Sequence, residues 1–520
     1  MNETPKTNAG RPSIARRFFR WLFSWRTVRR ALIGLAALAT LVALLVTEED
    51  WRGKRAWENY RHEWEAKGEK FDWQAFVPPS VPSDQNFFTA PIFTNIRDGK
   101  ILMSPYDDDG KPDIHSDASR NGYALYRMHL TDFQQWQNFY RHQTNTGMAK
   151  RFPVSPQMQT PAADVLFALG KFDSSVDELR QASQRPYANV LLNYEDGFDA
   201  LSPLLEDLAA LKRCSQVLQL RAVAELSDGQ SAKALADVKL LLRLNDCLHS
   251  SPFLISYLVR MAIVNIALQP VWEGLAEHKW SDEQLIELEA ELTKVDFLAD
   301  YGFVMRGERA FAIASFENQR RTRKMIFLED NGDIANTNKP VIVSLRFMPS
   351  AYFYQNELAF ALVQQQWILP LVDTNARIVS PQALRSADVD VRAEMKQLYF
   401  TPYKAQALMV VPALNAGVKK FAAIQSSIDL ARVACALERY RLAHGEFPEM
   451  LDALAPRFIA QLPHDIINGQ PLHYRREANG QFILYSVGWN ETDDGGQVVL
   501  TKGGSVDREK GDWVWQYPQN

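Results

Sequence analysis

The longest uninterrupted run of apolar residues lies close to the N-terminus. Residues 31–47 contain no charged side chain, and Glu48, Glu49 and Asp50 follow at once. A helix of seventeen residues is at the short end for crossing the roughly 30 Å hydrocarbon core of a bilayer. Upstream, aromatic residues alternate with arginines, as in segments that lie among lipid headgroups. The pattern predicts a single transmembrane helix over 31–47.

The charges on either side of this run predict its orientation. Residues 1–30 hold eight basic residues and one acidic residue. Because the more basic flank of a span usually stays in the cytoplasm, we expect 1–30 to be a cytoplasmic tail of a protein in the cytoplasmic (inner) membrane. A cleaved signal peptide has a similar basic and apolar start and is the alternative. In either case the body of the chain is exported.

A second apolar stretch covers residues 253–272. It includes Arg260, Asn265 and Gln269, and each of these side chains is costly at the depth of a membrane core. The flanking segments have the periodicity of amphipathic helices. We therefore predict a buried core helix here and not a second span.

The exported body begins with a segment that is polar on all sides. We expect a helical stalk that is broken by the prolines of 76–83, together spanning 48–83, because consecutive prolines lack amide donors. An irregular segment, 84–160, follows. In 161–400 apolar residues recur at spacings of three and four, which predicts a helical-hairpin domain. Its rhythm resembles tetratricopeptide arrays, but the signature residues of those repeats are not present in register.

Composition narrows the classes of protein to be considered. The net charge is −4 although the first thirty residues are strongly basic, so the body is acidic and we expect no nucleic-acid partner. Of the three cysteines, Cys214 and Cys247 fall on neighbouring predicted helices and could form a disulfide. The alternative is three buried thiols that act as small apolar residues.

Two groups of charged residues are candidates for chemistry. Arg306, Glu308 and Arg309 lie in an apolar helix of the predicted hairpin domain, where they could line a site or form ion pairs. The loop 106–117 places three aspartates around Gly110, but it departs from the EF-hand spacing and is as consistent with a solvated turn. No nucleotide-binding or hydrolase sequence motif is present.

The C-terminal segment carries an ordered series of short motifs. A predicted long helix ends at His444-Gly445, where glycine can adopt the left-handed cap, and Phe447-Pro448 prevents continuation. The series continues with Leu451-Asp452-Ala453-Leu454, Leu462-Pro463-His464-Asp465, Leu484-Tyr485-Ser486-Val487-Gly488 and Asp493-Asp494-Gly495-Gly496. Over 426–496 this order resembles the periplasmic domain of the major pseudopilins of type II secretion systems. It predicts a small α+β domain with a short antiparallel sheet within 405–520.

The resemblance implies a calcium site in the loop that follows the second predicted strand. The corresponding oxygen donors are Ser486, Asn490, Asp493 and Asp494, which are ligand types that calcium prefers. The alternative is a structural turn in which aspartates accept hydrogen bonds from nearby backbone amides.

The chain departs from pseudopilins at its start. The predicted membrane helix lies far upstream of the resembling domain, and no Gly-Phe processing junction precedes it. The sequence thus predicts a mainly helical, membrane-anchored interaction scaffold of a bacterial cell envelope, with lipid and envelope proteins as partners. The alternative is an exported hydrolase or carbohydrate-binding enzyme whose site contains Glu308, Arg306 and Arg309.

Overall fold

The fold is described from a computed structural model. The description covers residues 21, 24–106, 129–142, 152–190, 192, 201–323, 348–396, 402–502 and 506–518. The α-helices are α1 (Trp25–Ala66), α2 (Pro91–Arg97), α3 (Phe133–Arg141), α4 (Pro161–Leu169), α5 (Asp173–Ala182), α6 (Leu201–Ser227), α7 (Ser231–Asp246), α8 (Leu254–Ala276), α9 (Asp282–Thr293), α10 (Phe297–Thr322), α11 (Ser350–Val363), α12 (Pro381–Lys396) and α13 (Ala405–His444). The predicted fold class, mainly helical with a short antiparallel sheet near the C-terminus, is confirmed.

Helix α1 joins the apolar N-terminal run to the body without a break. Ser24 caps its start, since the hydroxyl accepts a hydrogen bond from the Thr27 amide at 3.3 Å. Side chains of the apolar run face outward, whereas Gly53 and Trp57 are buried. The segment expected to be a stalk is therefore a continuation of the same helix, and it packs against α11.

Three helices of the described residues, α1, α8 and α13, are long and apolar enough to cross a membrane. The most apolar window of α1 is 0% buried, whereas the corresponding windows of α8 and α13 are 78% and 61% buried inside the protein. The chain thus has an N-terminal apolar helix that is compatible with a membrane anchor, and α8 and α13 bury most of their apolar surface in the core.

Helix α8 lies between α6, α7 and α13. Its polar residues find partners within the protein: Arg260 pairs with Asp300 at 2.9 Å, the Asn265 side chain donates to the Met261 carbonyl at 3.0 Å, and the Gln269 amide donates to Glu273. This is the buried helix that the polar residues in 253–272 predict. Helix α9 begins with a capping box at Ser281.

The 40-residue helix α13 is the longest element of the core. It contacts α8, α9, α10 and α11 in turn, and small residues such as Ala422 and Ala434 let its neighbours approach closely. Gly445 ends the helix with φ +84°, a conformation that favours glycine.

The C-terminal residues form an antiparallel sheet that packs on α13. Its strands are β3 (His473–Arg476), β4 (Phe482–Ser486) and β7 (Trp513–Gln516), with β4 in the centre. Separate hairpins are formed by β1 (Val372–Asp373) with β2 (Ile378–Val379) and by β5 (Val498–Leu500) with β6 (Val506–Gly511). The Trp272 indole of α8 donates to the Gln516 carbonyl at 2.9 Å. The sheet therefore shares one hydrophobic core with the helical body.

One expectation needs correction. The segment 84–160, expected to be irregular, includes α2 and α3 and buries aromatic side chains such as Phe88 and Trp136, because apolar residues spaced for short helices complete the core. All three cysteines are buried free thiols, in agreement with their interpretation as small apolar residues and not with a disulfide between Cys214 and Cys247. The aspartates at 107, 109 and 113 and most of the basic tail lie outside the described residues.

Candidate functional site

Glu69, three residues after the end of α1, is bound by two arginines of α10. Its carboxylate lies 2.9 Å from Arg306 Nη2 and 2.5 Å from Arg309 Nη2. Arg306 Nε also donates to both oxygens of Glu69, at 3.2 and 3.0 Å. We call these three residues the Glu69 clamp. Charge-assisted hydrogen bonds of this fork geometry are among the stronger polar contacts in proteins.

The clamp is largely buried, most of all at Arg309. The Arg309 side chain is 0% exposed, stacks over the Phe71 ring at 4.3 Å and donates to Gln365 Oε1 at 2.9 Å. Burial raises the pKa of Glu69, but the hydrogen bonds from the two arginines outweigh it and hold that pKa below its usual value. Trp57 and Tyr60 of α1 pack against Phe71 beside it.

Glu308 belongs to a different environment from its two neighbours in sequence. Its carboxylate accepts a hydrogen bond from the Leu254 amide, at the start of α8, at 3.0 Å. Burial raises the pKa of Glu308. The structure thus divides the predicted trio: Arg306 and Arg309 face Glu69, whereas Glu308 caps α8.

The four predicted calcium ligands are held by hydrogen bonds within the protein. The Ser486 hydroxyl donates to Asp465 Oδ1 at 2.8 Å, and the Asn490 amide donates to Asp494 Oδ2 at 2.7 Å. Asp493 Oδ1 accepts from the Tyr485 hydroxyl at 3.0 Å and from the Gly495 amide at 2.9 Å. Ser486 is buried, whereas Asn490 and Asp494 are at the surface.

Within the described residues no three histidine, cysteine, aspartate or glutamate side chains gather in a metal-binding arrangement. Asp512 extends the same hydrogen-bonding pattern, since its two oxygens accept from the Asp494 and Gly496 amides at 3.2 and 2.7 Å. The residues as arranged fit the structural turn better than a calcium site.

A polar cavity of about 430 Å³ lies beside α13, at a place where the sequence predicts no site. Its walls come from the residues after α9, the β1–β2 turn, the middle of α13 and the loop 461–466. The charged groups that line it are Asp296, Arg377, Asp429, Arg432 and the imidazole of His464. Residues far apart in sequence thus bring opposite charges together around one space.

Asp429 lies in the cavity wall contributed by α13. It is 3% exposed, and burial raises its pKa to about 6, an effect that Arg377 and Arg432 partly offset. Gln425, one turn earlier, is also buried. A glutamine and an aspartate four residues apart in the same predicted helix were the available sequence signal, whereas nothing in the sequence indicated that Arg377 and His464 would join them.

No known protein family, curated protein or solved structure was found to match this chain.

Proposed function

We propose that the protein is a single-pass, membrane-anchored interaction scaffold of a bacterial cell envelope, located beside a secretion apparatus. Its N-terminus lies in the cytoplasm and its body is extracytoplasmic. The observation that carries the proposal is the Glu69 clamp, because it fixes the chain that leaves the apolar helix to the body by ion pairs to Arg306 and Arg309. A body held in this way has a defined orientation relative to its anchor.

The contact between α1 and α11 supports the same function. The Asp50 carboxylate, three residues after the apolar run, accepts a hydrogen bond from the Ala351 amide at 2.6 Å. One turn later, Gly53 lies so close that a Cβ there would be 3.3 Å from the Ala351 Cα. A flexible tether needs no such fit, whereas a scaffold that presents its surfaces in a fixed direction does.

The alternative function, an exported hydrolase, relied on Arg306, Glu308 and Arg309. The two arginines both bind the carboxylate of Glu69, and the carboxylate of Glu308 accepts a hydrogen bond from the backbone of Leu254. These contacts are structural, so no specific observation favours the hydrolase.

A candidate partner surface lies in the region that resembles pseudopilins. Leu442 near the end of α13 and Met450 in the following loop are 45% and 67% exposed. These are the apolar side chains that this region would offer to a partner. We propose that this surface meets a component of the secretion apparatus.

The anchor is tested with an epitope at the N-terminus of the full chain. We expect a membrane-bound product of about 59.3 kDa that keeps the epitope, resists alkaline carbonate extraction and has its body accessible to protease only from outside the cytoplasmic membrane. Loss of the epitope from the mature protein would show a cleaved signal peptide. Extraction by carbonate would show that no span exists.

The scaffold is tested by site-specific photo-crosslinking in intact cells. A crosslinker at Met450 is expected to give an adduct with a secretion-system subunit, and one at Val389, which is 66% exposed on α12, serves as the matched control. The same adducts at both positions, or none at either, would contradict the proposed partner surface.

A further inference from the structure

The cavity beside α13 contains one acid whose pairing is incomplete. The carboxylate of Asp429 receives the Gln425 side-chain amide at 3.3 and 3.4 Å, and its nearest cationic nitrogen is Arg432 Nη1 at 3.6 Å. These distances exceed the 2.7–2.9 Å or so that is usual for charge-assisted hydrogen bonds. Burying a carboxylate almost completely without a short contact from the protein costs free energy.

The polar groups next to Asp429 are held by other partners. They therefore cannot move closer to its carboxylate and complete its hydrogen bonding. The Gln425 carbonyl oxygen accepts from the Phe297 amide at 2.9 Å, which directs the amide nitrogen toward Asp429. Arg432 uses Nε and Nη2 on Glu289 Oε1, at 3.1 and 3.0 Å. The deficit at Asp429 therefore remains for a ligand to satisfy.

Both carboxylate oxygens of the second acid in the cavity, Asp296, already have partners within the protein. Asp296 Oδ1 caps α10 by accepting from the Leu298 and Ala299 amides at 3.1 and 3.0 Å. Asp296 Oδ2 lies 2.5 Å from Arg377 Nη1. Asp429, and not Asp296, is thus the acid of this cavity that is suited to a cationic group.

Arg377, at the turn between β1 and β2, supplies positive charge to the same cavity. Its ion pair with Asp296 engages Nη1, which leaves Nε and Nη2 to bind a ligand carboxylate. Its guanidinium is partly exposed, and it is the cation that most strongly favours the charged form of Asp429. Its φ is +53°, in the left-handed region where a non-glycine residue is strained. Strain of this kind is often found at sites where a side chain is held for function. The His464 imidazole contacts the Arg377 carbonyl at 3.3 Å and supports this turn.

We propose that this cavity binds a small zwitterion of dipeptide size, whose ammonium group pairs with Asp429 and whose carboxylate pairs with Arg377. The cavity volume lies in the range of small-molecule sites. Opposite charges in the lining of one cavity are complementary to a ligand that carries both charges. The site does not depend on the membrane anchor or on the partner surface near Met450.

The pH dependence of binding follows from the groups that face the ligand. These are Asp429 and Arg432 on α13, Asp296 before α10, Arg377 on the β1–β2 turn and His464 on the loop 461–466. Since burial raises the pKa of Asp429 to about 6, protonation in acid removes the charge that binds the ammonium group. We expect the affinity to fall as the pH is lowered from about 7 to about 5.

The ligand class is tested by calorimetric titration of the full-length protein in detergent with four probes. L-alanyl-L-alanine carries both charges, its N-acetyl derivative lacks the ammonium group, its C-terminal amide lacks the carboxylate, and glucose is a neutral polyol. We expect saturable binding of the dipeptide and a loss of affinity of about tenfold or more for either blocked form. No saturable binding of the dipeptide, equal binding of its blocked forms, or preferential binding of glucose would overturn the proposal.

Two variants assign the binding to this cavity. Asp429→Asn keeps the shape of the side chain and is expected to reduce dipeptide affinity by about tenfold or more, while the exposed control Asp177→Asn leaves it unchanged. Arg377→Gly removes the guanidinium and its partly exposed ion pair with Asp296, but it also removes the backbone strain, so we expect binding to be lost with little change in melting temperature. Unchanged affinity in Asp429→Asn, or destabilisation without loss of binding in Arg377→Gly, would contradict the assignment.

Discussion

Glu69 and Asp429 are both acids in largely buried surroundings, and both face two arginines, yet their environments differ. Glu69 receives short hydrogen bonds from Arg306 and Arg309, and its pKa is held below its usual value. Asp429 has only long contacts, and burial raises its pKa to about 6. An ion pair whose hydrogen bonds are complete within the protein stabilises the fold. A buried carboxylate that has only long contacts and lies beside a cavity can instead complete its hydrogen bonding with a ligand.

The largest effect is expected when the complete pair is broken. Glu69→Ala leaves the buried guanidinium of Arg309 without its partner, and we expect the free energy of unfolding to fall by about 3 kcal/mol. Urea unfolding of the full chain in detergent, followed by tryptophan fluorescence, measures this change.

A matched control separates the clamp from a general loss of charge. Glu63 lies on α1 shortly before the clamp, is 62% exposed and pairs with Lys67, so Glu63→Ala should change the free energy of unfolding by about 0.5 kcal/mol or less. Similar losses in the two variants would mean that the Glu69 clamp does not stabilise the body.

Removing the charge of Asp429 is expected to raise the free energy of unfolding, whereas removing that of Glu69 lowers it. A folded-state pKa of about 6, above an unfolded value of about 3.9, means that the folded state binds the proton more tightly. The resulting penalty is full above about pH 6 and disappears as the pH falls below about 4. Asp429→Asn should therefore stabilise the protein by about 2 kcal/mol at pH 7, and the gain should vanish in acid.

Unfolding curves at several pH values check this prediction. Glu69 should behave in the reverse way, because its lowered pKa contributes stability above its unfolded value that is lost as the pH falls. Destabilisation by Asp429→Asn at neutral pH would show that its carboxylate is paired better than its distances indicate.

A smaller effect is expected where α1 meets α11. A leucine at Gly53 would collide with Ala351, since a Cβ alone would lie 3.3 Å from the Ala351 Cα. Gly53→Leu should lower the free energy of unfolding by about 1–2 kcal/mol. Gly34→Leu, in the apolar run with no neighbour within 4 Å, is the control and should have no such effect. Equal behaviour would argue against tight packing of α1 on the body.

The smallest effect is expected at the loop after β4. Because the Asp493 and Asp512 carboxylates accept hydrogen bonds from backbone amides of the same loop, neither added calcium nor a chelator should move the melting temperature. A clear increase with calcium would restore the metal site that the pseudopilin resemblance implies at Ser486, Asn490, Asp493 and Asp494.

Elements with a strong local signal were predictable from the sequence. The apolar run 31–47, the capping box at Ser281, the helix end at Gly445 and the strands around Tyr474 and Leu484 depend on nearby residues, and the structure has each of them. Local patterns set these elements because capping, periodicity and glycine conformation act within a few residues.

The sites were less predictable because they depend on tertiary packing. Arg306 and Arg309 stand out in the sequence as charged residues of an apolar helix, but their partner Glu69 lies more than two hundred residues upstream. Arg377 is likewise far from Asp429 in sequence and meets it through the β1–β2 turn. A single sequence shows which charged residues are unusual, but the fold decides which of them face each other.

The length of α13 determines how far apart the structures at its two ends lie. Its first turn is bonded to α11 and α10, through Ala407 to Asn356 and Gln406 to Gln319, close to where α1 leaves its apolar run. Forty residues of helix at about 1.5 Å each span about 60 Å, and the sheet packs near the far end. The helix therefore fixes the distance between the end of the apolar N-terminal run and the C-terminal sheet.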